Sequence, residues 1–191
     1  MNEKDAIAQL KRGDVRGLET LVRKYQLEAV RVAQPITNDL GLAEEIVQEA
    51  FVRVYQHIDQ FDETRPFRPW FLRIVVNDAL KLAEQQRRLV SLDSAQPSET
   101  ATDSISLDDR LTYEQDEFGE KYDDAEMCQE ILSGLSPEHR AVLELKYYLE
   151  MTDEEIADTI QIPPGTVKSR LHAAKLQIRS LLKRLSPLVL I

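Results

Sequence analysis

The sequence predicts an all-α protein built from two small helical domains. Apolar residues recur at steps of three and four along most of the 191-residue chain, a spacing that places them on one side of a helix. No stretch alternates in the manner of a half-buried β-strand, and the low glycine content suits helices. Thr152 and Glu155 form a capping box, which is typical of a helix start because the pair satisfies two otherwise free backbone N–H groups.

The first domain is predicted over residues 1–92 and contains three amphipathic helices. The apolar positions of the first helix are Leu18, Leu21, Val22 and Tyr25. Asp14 is its expected N-cap, and Pro35 with the polar residues after it is expected to end it. The apolar positions of the second helix are Ala43, Ile46, Val47, Ala50, Phe51, Val54, Tyr55 and Ile58. A loop at residues 60–66 leads to the third helix, expected to end near residues 85–88, whose apolar positions are Phe67, Trp70, Phe71, Ile74, Val75 and Leu80.

Residues 93–127 are predicted to be an acidic, flexible linker. They hold twelve Asp or Glu residues and two Arg or Lys residues, an excess of ten negative charges. This excess equals the formal net charge of −10 for the whole chain, so the two flanking segments together are electrically balanced. The segment is rich in Ser, Thr and Asp and has no sustained apolar period, which is typical of chains that repel themselves and stay extended.

The second domain, predicted over residues 128–191, contains a helix-turn-helix. A short helix begins at the capping box, and its apolar residues are Ile156, Ala157 and Ile160. Because the adjacent Pro163 and Pro164 cannot lie inside a helix, a second helix is expected to open near Thr166. Six Lys or Arg residues and no acidic residue lie between Thr159 and the carboxyl terminus. A cationic second helix of this kind indicates binding to nucleic acid, whatever the net charge of the chain.

The residue content argues against an enzyme and against a cofactor or metal site. The chain has no phosphate-binding glycine loop, and its three histidines, at positions 57, 139 and 172, are scattered. The lone Cys128 excludes a disulfide within the chain and a cysteine zinc cluster. The polar amino terminus and the lack of a long apolar run predict neither a signal peptide nor a membrane insertion, and therefore a cytoplasmic protein.

Two segments of the chain carry a family resemblance. Residues 42–88, beginning LAEEIVQEAFVRVYQH, closely resemble conserved region 2 of bacterial RNA polymerase sigma factors. Residues 135–182, which contain TDEEIADTIQIPPGTVKSRLH, closely resemble region 4, and residues 15–41 add a weaker match to the start of region 2. Two such regions joined only by a variable linker form the layout of the extracytoplasmic-function (ECF, group IV) sigma factors. The resemblance implies a protein that directs promoter-specific initiation of transcription.

The resemblance also implies roles for individual side chains of region 2. In the family, one face of the second helix of region 2 binds the clamp of core polymerase, and here that face carries Glu45, Gln48 and Glu49. The next loop and the helix after it bind the −10 promoter element and hold a flipped base of the melted non-template strand. The matching residues here are Asp62, Thr64, Arg65, Phe67, Asn77, Lys81, Arg87 and Arg88.

Some of these residues have a second interpretation. Asn77 could bond locally instead of recognising a base, and Phe67 and Trp70 could be core residues rather than stacking platforms for bases. Family members commonly carry a dense basic run after the asparagine, whereas here residues 84–86 carry no positive charge ahead of Arg87. Fewer phosphate contacts are therefore expected in this part of the chain.

In region 4 the resemblance implies that the second helix of the helix-turn-helix enters the major groove of the −35 element. The residues near the start of this helix are Thr166, Lys168, Ser169, Arg170, His172 and Lys175. Arg170 is the expected contact to a base, because a guanidinium can bind guanine through two hydrogen bonds. Lys168 and Lys175 are the expected phosphate contacts, and His172 could equally be a neutral surface residue.

The partners implied by the resemblance are macromolecules, and no cofactor is expected. They are core RNA polymerase through its clamp and flap, promoter double-stranded DNA with its melted non-template strand, and an anti-sigma factor. Two other classes remain open, a dimeric helix-turn-helix transcription regulator and a regulator that binds polymerase without promoter specificity of its own. Specific promoter binding that depends on polymerase distinguishes a sigma factor from both.

Overall fold

The computed structural model describes residues 2–93 and 130–185, and within these ranges the chain contains helices and no β-strand. In chain order the helices are α1 (Glu3–Lys11), α2 (Arg16–Thr37), α3 (Leu40–His57), α4 (Phe67–Asp93), α5 (Pro137–Leu143), α6 (Asp153–Ile160) and α7 (Pro164–Leu185). A 3-10 turn at Ile58–Gln60 follows α3, and a π-helical turn at Glu144–Tyr148 follows α5. The predicted all-α fold class is confirmed. Apart from Asp93, the predicted acidic linker lies outside the described residues.

The first helix, α1, has no counterpart among the helices predicted from the sequence. Asn2 caps it by accepting a hydrogen bond from the backbone N–H of Asp5 at 2.8 Å. Its buried residues are Ala6, Ile7 and Leu10. The helix crosses α2 at Gly17, where a Cβ atom would lie 2.2 Å from the carbonyl oxygen of Ala6. Only glycine permits this approach of two backbones, so α1 is held tightly against the start of α2.

The predicted ends of α2 are both wrong in detail. The helix begins at Arg16 with Val15 at the N-cap position, although Asp14 still accepts a hydrogen bond from the backbone N–H of Arg16 at 3.1 Å. Pro35 does not end the helix but lies inside its last turn, before Thr37. A proline so close to the end removes one backbone hydrogen bond rather than a series of them, and the left-handed Asn38 then ends the helix.

Helices α1 to α4 enclose a core that is rich in aromatic rings. Phe71 stacks on Phe51 and Phe67, with ring centroids 4.5 Å and 5.8 Å apart. Tyr25 of α2 packs against Phe67 at 5.5 Å. Phe61, immediately after the 3-10 turn, also contacts Phe67, edge to face at 5.5 Å. These rings fix the start of α4 relative to α2 and α3.

The second group of helices forms the predicted helix-turn-helix. Thr152 and Glu155 make the capping box at the start of α6, which confirms the prediction from the sequence. Gln161 ends α6 with a left-handed backbone, φ 58°. Helix α7 begins at Pro164 rather than near Thr166, because the first helical position tolerates a residue without an N–H group. The buried side of α7 carries Val167, Leu171 and Ala174.

The two groups of helices are in contact, with α5 packed on α2 and α4, and α6 packed on α4. Arg140 of α5 is 7% exposed, and its Nη2 donates a hydrogen bond of 2.9 Å to the carbonyl oxygen of Ile36 near the end of α2. Burial lowers the pKa of this guanidinium, and its Nε has no hydrogen-bond partner. A buried, charged donor thus joins residues that are 104 positions apart in the chain.

A half-buried carboxyl group lies at the start of the π-helical turn. Burial raises the pKa of Glu144 from 4.5 to about 7. Because the folded state binds this proton more tightly than the unfolded chain, the contribution of Glu144 to stability falls as the pH rises from about 4.5 to 7 and stays low above that range.

We therefore expect Glu144→Gln to raise the free energy of unfolding by about 2 kcal/mol at pH 8 and to change it little at pH 4.5. Urea denaturation at the two pH values measures the difference. Glu44→Gln is the matched control, since it removes the same charge from an exposed position of α3. An equal effect of Glu144→Gln at both pH values would contradict the assignment.

Candidate nucleic-acid interface

The predicted recognition residues lie together in the first three turns of α7. Lys168, Ser169 and His172 are exposed, and Thr166, Arg170 and Lys175 are half-buried. The Ser169 hydroxyl donates to the carbonyl oxygen of Thr166 at 3.0 Å. The Lys175 ammonium lies 5.7 Å from the centre of the Tyr147 ring. This end of the helix therefore presents two hydroxyl groups and four cations or potential cations.

Glu138 interacts electrostatically with basic groups from both candidate DNA-binding surfaces. It belongs to the first turn of α5. Burial opposes its ionisation, but its own backbone N–H, the Ser136 hydroxyl and the charges of Arg87 and Arg170 together hold its pKa below the usual value. Positive charge from both α4 and α7 therefore favours the ionised form of this one carboxylate.

The loop at residues 61–66, called the −10 loop because the −10 element is its predicted partner, presents its polar side chains to solvent. Asp62 accepts hydrogen bonds from the Thr64 hydroxyl at 2.7 Å and the Thr64 backbone N–H at 3.0 Å. These two bonds hold the pKa of the Asp62 carboxyl below its usual value. Arg65 is also exposed and lies 3.8 Å from Asp62 as an ion pair. The loop is thus a short preformed turn rather than a loose connection.

Phe67 must be withdrawn from the predicted DNA contacts. Its side chain is 1% exposed and lies among Tyr25, Phe61 and Phe71 in the aromatic core. Trp70 is half-buried and packs against Phe61 with ring centroids 5.0 Å apart, so one of its sides belongs to the same core. Phe67 and Trp70 both fall on the apolar side of α4. That pattern predicts core packing, whereas the resemblance suggested a DNA contact for Phe67.

Asn77 lies at the edge of a cleft of about 320 Å³ on the surface of α3 and α4. The cleft is lined by Arg53, Trp70, Arg73, Ile74, Asn77 and Asp78. The Asn77 amide does not bond locally. Its Nδ2 donates a hydrogen bond of 3.3 Å to the carbonyl oxygen of Thr159 in α6. The cleft therefore combines cationic, amide and aromatic groups, the types that bind single-stranded nucleic acid.

Arg53 is a member of this cleft that the sequence did not single out. Its Nη1 donates to Asp78 Oδ1 at 2.8 Å, which joins α3 to α4. The sequence did contain a signal for Arg53, since it is a cation four residues after Glu49 on an otherwise acidic helix face.

The basic residues toward the end of α4 are dispersed. Lys81, Arg87 and Arg88 are all exposed. Arg88 forms an ion pair with Glu84 at 2.5 Å, so part of its charge is compensated within the helix. This segment therefore offers few basic side chains for phosphate contacts, as expected from its sequence.

The exposed face of α3 carries the predicted polymerase-binding residues. Glu45, Gln48 and Glu49 are all exposed. Val52, 53% exposed, and Tyr55, 46% exposed, extend the same helix surface. The sequence pattern predicts Tyr55 on the apolar side of this helix, and that prediction is wrong. Acidic, amide and apolar groups on one exposed helix suit a partner protein better than they suit nucleic acid.

Two further classes of site can be addressed for the described residues. Within residues 2–93 and 130–185, no group of three or more His, Cys, Asp or Glu side chains is arranged to hold a metal ion. Among the described helices, none combines the length and the apolar character that crossing a membrane requires.

Comparison with known proteins gives matches to both groups of helices. Residues 21–89 match the family described as Sigma-70 region 2, and residues 125–178 match the family described as Sigma-70, region 4. The chain is 33% identical over 161 residues to the ECF RNA polymerase sigma factor SigL of Mycobacterium tuberculosis, which covers 81% of this chain and 82% of that protein. It is 29% identical over 189 residues to the ECF RNA polymerase sigma factor SigW of Bacillus subtilis, with 95% and 97% covered.

The fold also resembles that of a solved sigma factor. The structure of RpoE in complex with the anti-sigma factor NepR from Bartonella quintana matches with a TM-score of 0.62 and 19% sequence identity. The match covers 86% of this chain and 96% of that one. The similarity extends over the helices before and after residues 94–129.

Proposed function

Because this chain belongs to the extracytoplasmic-function group of the sigma-70 family of RNA polymerase sigma factors, we propose a division of promoter-specific initiation among its surfaces. Residues 1–92 bind core polymerase and the −10 element, residues 128–191 bind the −35 element, and residues 93–127 connect them. The observation that carries the proposal is the presence on one chain of an exposed, preformed −10 loop and a helix-turn-helix whose second helix exposes Lys168 and Ser169.

The exposed face of α3 is the proposed contact to the polymerase clamp. Glu45, Gln48 and Glu49 supply the acidic and amide groups, and Val52 supplies an apolar centre that the sequence interpretation did not include. Burial of one apolar side chain within a ring of polar contacts is the usual composition of a protein interface. The flap of polymerase is the proposed partner of the second domain.

The −10 loop and the Asn77 cleft are the proposed contacts to melted DNA. Asp62, Thr64 and Arg65 offer acceptors and donors around one turn, enough to hold an extruded base. Asn77 offers an amide at the neighbouring cleft, and Lys81 with the arginines that follow it offers charge for phosphates.

Helix α7 is the proposed element that enters the major groove of the −35 element. Its amino-terminal side chains would reach base edges, as in other helix-turn-helix proteins. Arg170 is the proposed contact to a base, with Thr166, Ser169 and His172 beside it. Lys168 and Lys175 are the proposed phosphate contacts.

The remaining proposals concern partners and setting. An anti-sigma factor that covers these surfaces is a proposed partner, supported by the similarity in fold to a sigma factor solved with one. We also propose that the protein acts in the cytoplasm and has no catalytic activity of its own, since every surface assigned above serves binding.

Run-off transcription on a library of random promoters tests the proposed function. Bacterial core polymerase is assayed with and without this protein, and the transcripts are sequenced. We expect selected transcripts to share two spaced upstream motifs. Tight binding to core polymerase without any promoter selectivity would contradict the proposal and would favour a polymerase-binding regulator.

A further inference from the structure

Helix α1 makes a contact to the −10 loop through Lys11. This lysine lies in the last turn of α1, and its side chain is 25% exposed. Its Nζ donates a hydrogen bond of 2.9 Å to the carbonyl oxygen of Phe61 and forms an ion pair of 2.9 Å with Oε1 of Glu63. One ammonium group therefore holds the first residue of the loop and the residue two positions later.

The helix that carries Lys11 is itself firmly anchored. Ala6, Ile7 and Leu10 are between 0% and 4% exposed, and the backbone approach at Gly17 leaves α1 no room to move toward α2. The position of the Lys11 ammonium is therefore set by the core of the domain rather than by the loop.

The −10 loop needs such an anchor on its outer side. The rings of Phe61 and Phe67 are buried at its two ends, whereas the residues between them are exposed. The two hydrogen bonds that Thr64 donates to Asp62 order the turn internally but do not attach it to the domain. Lys11 supplies a polar attachment between the turn and α1, through its contacts to Phe61 and Glu63.

We propose that Lys11 is a positioning residue for recognition of the −10 element. It holds the loop in one geometry, so that Asp62, Thr64 and Arg65 meet the promoter strand already oriented. A loose loop adapts to several bases and must be ordered at the moment of binding, whereas a fixed loop accepts one base better than the others. The inference rests on the proposed function of the −10 loop. Lys11 acts through this loop and does not itself contact DNA.

The variant Lys11→Met tests this role, because methionine keeps an unbranched apolar stem and removes both the charge and the donors. Transcription is measured from a preferred promoter of the library, from versions with single substitutions in its −10 motif, and from versions with single substitutions in its −35 motif. We expect discrimination within the −10 motif to fall about tenfold, the effect of losing one hydrogen bond from a charged group. Discrimination within the −35 motif is expected to stay unchanged.

Three matched variants separate positioning from stability. Lys4→Met removes the same charge from an exposed position of α1 and should leave both kinds of discrimination intact. Lys11→Arg retains a charged donor and should restore discrimination within the −10 motif. Glu63→Gln removes the ion pair but keeps the hydrogen bond from Lys11 to Phe61, so an intermediate loss of discrimination within the −10 motif is expected. If Lys11→Met fails to fold, Glu63→Gln still tests whether the contact positions the loop.

The proposal is overturned if Lys11→Met lowers transcription equally from the preferred and the −10-substituted promoters, or if it behaves as Lys4→Met does. Lack of promoter selectivity in the unaltered chain would instead remove the proposed function, and this inference with it. Selectivity in the unaltered chain with no response to Lys11→Met removes the inference alone.

Discussion

Run-off transcription with core polymerase is expected to fall at least about tenfold when Arg170 and Lys168 are both replaced by alanine. An arginine bound to guanine through two hydrogen bonds contributes about 1–3 kcal/mol of discrimination, and each lost phosphate contact weakens binding further. Val167 and Leu171, in the same turns of α7, are buried and remain in place. The fold of the second domain should therefore survive, and thermal denaturation can verify that it does.

The two single variants are expected to differ in kind. Arg170→Ala should relax the preference for one base of the −35 motif and leave the other positions of the motif unchanged. Lys168→Ala should weaken binding to all promoters alike and lower the slope of log affinity against log salt by about 0.9. Holoenzyme binding to substituted promoters, measured across a salt series, separates the two effects.

The control for this pair is Lys4→Ala, which removes an exposed cation from α1, outside the helix-turn-helix. It should leave transcription and salt dependence unchanged. If the double variant transcribes as well as the unaltered chain, α7 is not the element that binds the −35 motif. If the control loses activity to the same extent, general charge rather than the recognition helix carries the binding.

Local patterns predicted most of the helices, because the information needed lies within a few residues. The capping box at Thr152 and Glu155 forms as expected, and the predicted apolar residues Ile156, Ala157 and Ile160 are buried in α6. Helix periodicity and capping depend on neighbours three or four positions away, so a single sequence contains them.

Helix ends were predicted less well where two local rules compete. Pro35 is a helix breaker in general, yet here it lies so near the end of α2 that the burial of Ile36 outweighs one lost hydrogen bond. Pro164 can start α7 because the N–H groups in the first turn of a helix have no partner within the helix, so a residue without an N–H group costs no hydrogen bond there. Helix α1 was missed because its short apolar stretch, Ala6 to Leu10, gains its stability from α2 rather than from its own pattern.

Contacts between distant helices were beyond what the sequence offered. Asn77 and Thr159 are 82 positions apart, and Lys11 and Phe61 are 50 apart. Which faces meet is decided by the packing of whole helices, so no local pattern marks Lys11 as the anchor of a loop. Phe67 also depends on distant contacts. An aromatic residue at the start of a helix can contact DNA or lie in the core, and only the positions of Tyr25, Phe61 and Phe71 decide between the two.

Gly17→Ala is expected to lower the free energy of unfolding by about 3 kcal/mol, the upper part of the range for overpacking a close contact. An added Cβ atom would lie 2.2 Å from the carbonyl oxygen of Ala6 and 3.0 Å from the backbone nitrogen of Leu10. Both neighbours are backbone atoms of a helix, which cannot turn aside as a flexible side chain can. Helix α1 must therefore move away as a unit, and the burial of Ala6, Ile7 and Leu10 is reduced with it.

Gly165→Ala is the matched control for this change, because it adds the same methyl group to a helix where no atom lies within 4 Å of the new Cβ. It should raise stability by about 0.5–1 kcal/mol, since alanine loses less conformational freedom than glycine on entering a helix. Chemical denaturation of the two variants and the unaltered chain measures both shifts. Equal stabilities for Gly17→Ala and the unaltered chain would mean that α1 lies farther from α2 than described. Movement of α1 would also withdraw Lys11 from the −10 loop, so Gly17→Ala should reproduce the promoter phenotype of Lys11→Met at temperatures where the protein is still folded.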